Sequence, residues 1–256
     1  MEMGLVHLHR SLLRSLLRFA AALSIFVIGA GGANGLLRAE VLEKSKDIAG
    51  TAVQYKVVLP ANYDPAKAYP GVLAFGGGPQ TMTVIENSIR RNWQAEAERR
   101  GYIVVLPAAP GGDLFFEGGE RIFPEFLNKI LADYKIADGK FHIAGISNGG
   151  ISAFHIAALH PQYFLSITAF PGFLPGATDA RVRAISKLCI YMHVGEFDQL
   201  GWTSPIERQA GALQEMGLNV HFTIEKEQQH RLETFAGEGA RRLFEEFEEA
   251  RRGCSK

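Results

Sequence analysis

Cysteine is nearly absent: the 256 residues hold two, Cys189 inside an apolar run and Cys254 near the C-terminus. Two thiols cannot build a disulfide framework or a Cys-rich zinc site. Cys189 is expected to be a buried thiol and Cys254 part of a solvated tail. Net charge is missing too, because 27 basic residues balance 27 acidic ones. That excludes an overall positive field able to recruit nucleic acid or anionic lipid. Internal repeats, low-complexity linkers and shifts of composition are lacking, so nothing divides the main body of the chain into two domains. A bilayer-spanning helix needs about 20 apolar residues. The stretch Phe19–Ala30 offers twelve.

That stretch has a context. Arg10, Arg14 and Arg18 precede it, and Gly31, Gly32 and Ala33 follow. A basic region, a short apolar core and small residues occur in that order in a secretory signal peptide. Residues 1–33 are therefore expected to be a leader cleaved near Ala33, with export of the remaining 34–256. The alternative is an uncleaved anchor from Phe19 to Leu37, interrupted by Asn34, which would be the only membrane contact.

With 47% apolar and 21% charged residues, the remainder can bury one large core. Apolar runs of strand length alternate with helical periodicity from about residue 50, the pattern of a mostly parallel sheet with helices on both faces. Strands are expected at 52–59, 71–75, 102–106, 140–144, 164–169, 188–194 and 218–224. Helices are expected at about 84–100, 120–134, 148–160, 203–216 and 233–252. Ser204, Pro205 and Glu207 suit a helix start. Leu232, Ala236, Leu243 and Phe247 would form the apolar stripe of the last helix, with its charges on a solvated face.

The segment Phe141–Gly150 carries the chemistry. A strand runs into Gly145-Ile146-Ser147-Asn148-Gly149 and then into a helix, which is a nucleophile elbow. The serine of such an elbow sits on a tight turn, and strand and helix approach closely only if small residues flank it. Ser147 is thus the candidate nucleophile.

A hydroxyl needs a base, and five histidines follow Ser147. His155 and His160 lie down the helix leaving the elbow; His193 and His221 fall inside strands. His230 lies in the polar stretch between the last strand and last helix, which reaches the catalytic edge of such a sheet, so it is the candidate base. Asp198, just beyond the strand 188–194, is the candidate acid that fixes the imidazole tautomer. Glu196 and Asp179 compete for that role. An oxyanion also needs preorganised donors. The Asn148 N–H is one candidate. Phe75-Gly76-Gly77-Gly78-Pro79 offers the other, with Gly77 preferred and Gly78 possible. No Lys-Ser or Lys-Thr pair follows those glycines, which excludes a Walker loop.

These residues together resemble the α/β-hydrolase superfamily over about 50–250. Gly-Ile-Ser-Asn-Gly-Gly before a helix is similar to the elbow of polyhydroxybutyrate depolymerase-like and feruloyl-esterase-like hydrolases, with dienelactone-hydrolase-like enzymes a second neighbour. The resemblance implies an α/β-hydrolase fold, a triad of Ser147, Asp198 and His230, and oxyanion donors at Gly77 and Asn148. One departure is Phe75, where the family often has His bracing the oxyanion loop.

The expected activity is cleavage of a small-molecule carboxylic ester, or a thioester, through an acyl-enzyme. It calls for no cofactor, no metal and no nucleic-acid partner. A serine peptidase or amidase is the alternative enzyme, and a non-catalytic α/β-hydrolase-like binding protein the alternative of another class. The short passage between the strands at 164–169 and 188–194 leaves no room for a large cap domain. Phe173 and Trp202 are expected to wall a substrate pocket.

Overall fold

The computed structural model describes residues 40–254. The leader expected over 1–33 lies outside them. Eight strands form one sheet: β1 (Glu40–Ile48), β2 (Thr51–Leu59), β3 (Tyr69–Phe75), β4 (Ile103–Pro107), β5 (Ile136–Gly145), β6 (Phe164–Ala169), β7 (Cys189–Gly195) and β8 (Val220–Glu225). Their order is β1-β2-β4-β3-β5-β6-β7-β8. β2 pairs antiparallel with β1 on one side and β4 on the other, and every later pair is parallel.

Strand alternation divides the interior into two cores. From β3 and β4, Leu73, Phe75, Ile103 and Val105 pack with α3 (Glu125–Asp133), α4 (Asn148–Leu159), α5 (Asp179–Ile185) and α6 (Thr203–Glu215). Their neighbours Val72, Ala74, Val104 and Leu106 pack with α1 (Met82–Ser88), α2 (Gln94–Arg100) and α7 (Arg241–Arg251). Successive side chains of a strand point to opposite faces, so a sheet buried on both sides reads as an unbroken apolar run. The parallel crossovers also send the loops after β3, β5, β7 and β8 to one edge of the sheet, which is where ligands bind in open α/β sheets.

Several expectations are corrected. The sequence pattern misses β1, whose EVLEKSKDI carries five charges and has no apolar run. Charge on an edge strand discourages pairing with another chain. The expected helix 84–100 is interrupted by a π turn, Ile89–Trp93, whose Trp93 indole N–H donates to Ser88 Oγ at 2.9 Å. Pro124 delays α3 to Glu125. Residues 233–240 form two 3₁₀ turns, with Gly237 at φ +57°, so the last helix begins only at Arg241. Ser204 does not cap α6; Thr203 opens it and donates its hydroxyl to the Gly195 carbonyl.

Cys189 and Cys254 form a disulfide with Cα atoms 5.8 Å apart, so Cys254 is not free tail. α7 lies across the sheet, and its end returns to the start of β7. Sequence separation concealed that proximity. Between β6 and β7 the seven-residue α5 is the sole helix, and no cap is inserted there. Among the described residues, no helix is long and apolar enough to cross a membrane.

Candidate active site

β5 delivers Ser147 at the sheet edge, and α4 begins at the next residue. Ser147 has φ +57° and ψ −122°, a conformation costing roughly 1–3 kcal/mol for a residue with a Cβ. The surroundings hold it there: its N–H donates to the Pro171 carbonyl at 2.8 Å, and its carbonyl accepts from Ile151. A Cβ on Gly145 would strike the Gly149 carbonyl, and one on Gly149 would strike the carbonyls of Phe75 and Gly76. The spacing of glycines around the serine is therefore a steric requirement of bringing β5, α4 and the loop after β3 together.

The loops after β7 and β8 supply the partners. His230 Nδ1 lies 2.7 Å from Asp198 Oδ2, and His230 Nε2 lies 2.8 Å from Ser147 Oγ. A carboxylate only accepts, so Nδ1 carries the proton, which leaves Nε2 to accept from the Ser147 hydroxyl. Asp198 has no exposed side-chain surface. Its other oxygen, Oδ1, accepts from the Leu200 N–H at 2.8 Å. Gly195 admits the histidine loop, since a Cβ there would meet the carbonyls of Gln228 and Gln229. The competing carboxylates lie elsewhere. Glu196 is tied to Lys226 and to the Glu227 N–H, and Asp179 opens α5 with Arg183 3.9 Å away.

Gly77 rests against the nucleophile, its notional Cβ 3.5 Å from Ser147 Cβ, whereas a Cβ on Gly78 would meet nothing within 4 Å. Neither the Gly77 nor the Asn148 N–H has a hydrogen-bond partner among the described residues. They are available donors beside Ser147. The bracing that Phe75 cannot provide comes from residues the sequence did not single out for it. Asn148 Nδ2 donates to the Gly78 carbonyl at 3.0 Å. Gln80, fully buried, donates to Ser152 Oγ and accepts from the Phe115 N–H. Phe75 itself packs on Phe115, with ring centroids 4.9 Å apart.

Trp202 stands edge-on to His230 at 4.8 Å and to Phe173 at 5.2 Å. These aromatics therefore flank the base, but neither lines the cavity at the site. That cavity, of about 230 Å³, is lined by Gly77 and Ile146, which neighbour Ser147, and by Val84, Asn92, Arg91 and Arg231. The Trp202 ring packs on the imidazole, and Phe173 packs on Trp202.

A second charged group lies beneath the acid and base loops. His193 on β7 is buried between Glu225 at 3.1 Å and Glu246 at 2.8 Å, and Arg242 grips Glu225 with two hydrogen bonds. Phe235, on the loop that follows His230, packs between the His193 ring and the Arg242 guanidinium. Burial pushes the imidazole down, but the Glu246 and Glu225 carboxylates outweigh it and raise His193 from 6.5 to about 9. Burial raises Glu225, but His193 and Arg242 prevail and lower it from 4.5 to about 2.

Folding thus holds the His193 proton more tightly than the unfolded chain does. Its stabilisation is complete below about 6.5 and disappears as pH rises through about 9. For Glu225 the stabilisation is present above 4.5 and lost as pH falls toward about 2. Thermal unfolding followed across pH is expected to show a midpoint declining from about 6.5 to about 9, a decline that His193→Gln should flatten. An unchanged slope in that variant would count against the cluster.

A tight strand-to-helix turn carrying Ser147 beside a histidine–carboxylate pair, on a mostly parallel eight-stranded sheet, defines an α/β-hydrolase fold. Solved structures agree on that fold. A ferulic acid esterase superposes with a TM-score of 0.61 at 19% identity, covering 84% of this chain and 98% of its own. An S-formylglutathione hydrolase from Agrobacterium tumefaciens gives 0.59 at 17% identity, covering 84% and 95%. Among curated proteins, dipeptidyl-peptidase 5 of Porphyromonas gingivalis is 33% identical over 128 residues, which is 45% of this chain and 19% of that protein. The chain therefore spans less than a fifth of the length of that relative. No family model matches the chain. Among the described residues, no group of three or more His, Cys, Asp or Glu side chains could hold a metal ion.

Proposed function

We propose that the protein is a serine hydrolase that cleaves a small carboxylic ester, or a thioester, through an acyl-enzyme on Ser147. The observation that carries this reading is the unbroken relay Ser147 Oγ–His230–Asp198 with two free N–H groups beside it. In the reaction, Ser147 Oγ attacks the ester carbonyl while His230 Nε2 takes its proton. The developing oxyanion is held by the N–H groups of Gly77 and Asn148. Collapse expels the alkoxide, which receives the proton from His230. Water, deprotonated by His230, then attacks the acyl-enzyme and releases the acid and free Ser147. Asp198 stabilises the imidazolium in both halves and keeps its proton on Nδ1.

The partial likeness to dipeptidyl-peptidase 5 favours a second reading, a serine peptidase acting by the same chemistry on an amide. The Cys189–Cys254 disulfide supports export, since such bonds persist in oxidising compartments. The test is covalent labelling by a fluorophosphonate, followed by rates on a nitrophenyl ester and a dipeptidyl nitroanilide. Labelling that is lost in Ser147→Ala, with faster ester cleavage, is the expected result. Labelling elsewhere overturns the nucleophile; preference for the nitroanilide selects the peptidase.

A further inference from the structure

The cavity beside Ser147 carries more positive charge than ester hydrolysis requires. Gly77 and Ile146 connect it to the nucleophile, so an occupant is one arm of the bound substrate. Val84 and Ile146 give it apolar walls. The polar groups of the π turn are already engaged: Asn92 Nδ2 donates to the Phe235 carbonyl at 2.7 Å, and Ser88 Oγ accepts from Trp93. The arginines are not fully engaged. Arg91 has only 18% of its side chain exposed, and its Nη2 sits 2.5 Å from Glu233 Oε2 as an ion pair. Neither its buried Nε nor its Nη2 makes a hydrogen bond among the described residues, so the Glu233 contact is an ion pair only. Arg231 Nε lies 3.6 Å from the other oxygen of the same Glu233.

Two guanidinium groups therefore share one carboxylate, and Glu233 does not itself line the cavity. This trio carries one net positive charge. A buried guanidinium N–H without an acceptor is uncommon in a folded protein. An incoming carboxylate would balance the charge, in the planar geometry that the arginine fork matches.

From these observations, and resting on Ser147 as the nucleophile, we infer that the cavity is the subsite for an anionic arm. The preferred substrate class is an ester bearing a free carboxylate, held by Arg91 and Arg231 at the end of a short apolar stem. Its hydrocarbon lies along Val84 and Ile146 while the ester carbonyl reaches Ser147.

The test measures how fast a fluorophosphonate labels Ser147 in the presence of benzoate or of its neutral counterpart benzamide. Benzoate is expected to protect at a concentration about tenfold lower or better, the scale of a charge-assisted hydrogen bond. Arg231→Gln, at an exposed side chain (65%), and Arg91→Gln should each shrink the difference. Glu233→Gln, which removes the competing carboxylate, should enlarge it. Equal protection by the two compounds, or a difference that survives both arginine substitutions, overturns the inference. Failure of the wild-type protein to label at Ser147 overturns the nucleophile instead, so the two failures are distinguishable.

Discussion

Ser147→Ala is expected to lower kcat for any ester the protein turns over by about 10⁶-fold, the scale seen when a hydrolase nucleophile is removed. No acyl-enzyme can form, while the oxyanion donors and the binding cavity remain. Residual acceleration over water of about 10³–10⁴-fold is therefore expected to persist. The fold should survive, because Ala fits the elbow: the constraints there are the backbone bond from Ser147 N–H to the Pro171 carbonyl and the glycines on either side, not the hydroxyl. Single-turnover kinetics on a nitrophenyl ester, with thermal unfolding as the control, would measure both. A variant keeping a tenth of the wild-type rate with an unchanged melting profile would remove Ser147 from the mechanism.

The next largest loss is expected at Asp198→Asn, about 10⁴-fold in kcat. The geometry gives the reason. Oδ1 of Asp198 accepts from the Leu200 N–H while Oδ2 accepts from His230. In the asparagine variant the amide oxygen is the group that can still accept from Leu200, which turns the NH₂ toward His230 Nδ1. The imidazole must then carry its proton on Nε2, where it can no longer accept the Ser147 proton. Glu196→Gln and Asp179→Asn, whose side chains take no part in the relay, should change kcat little. The comparison is read from pre-steady-state rates of the three variants, and a larger loss at Glu196 or Asp179 would move the acid there.

What the sequence leaves open follows one physical pattern. Gly77 lies close to Ser147, where Gly78 does not. Asn148 was expected to offer only its N–H, yet its side chain also ties down the oxyanion loop. That tie joins residues 70 positions apart, and no local pattern announces it. Phe173 and Trp202 pack on each other beside His230. β1 left no signal, since an exposed, charged edge strand needs no apolar periodicity to pair.

The sequence by itself determined the layered sheet and the tight strand-to-helix turn at Ser147. Each is written in neighbouring residues: unbroken apolar runs for strands buried on both faces, and small residues wherever strand and helix must almost touch. Only the tertiary structure decided what meets across long stretches of chain: the His193 cluster under the catalytic loops, the Cys189–Cys254 bond, and Arg91 and Arg231 around one carboxylate. Local sterics act over a few residues. Partners of buried charge are chosen by packing, which brings together side chains as far apart in the sequence as His193 and Glu246, 53 positions, or Cys189 and Cys254, 65 positions.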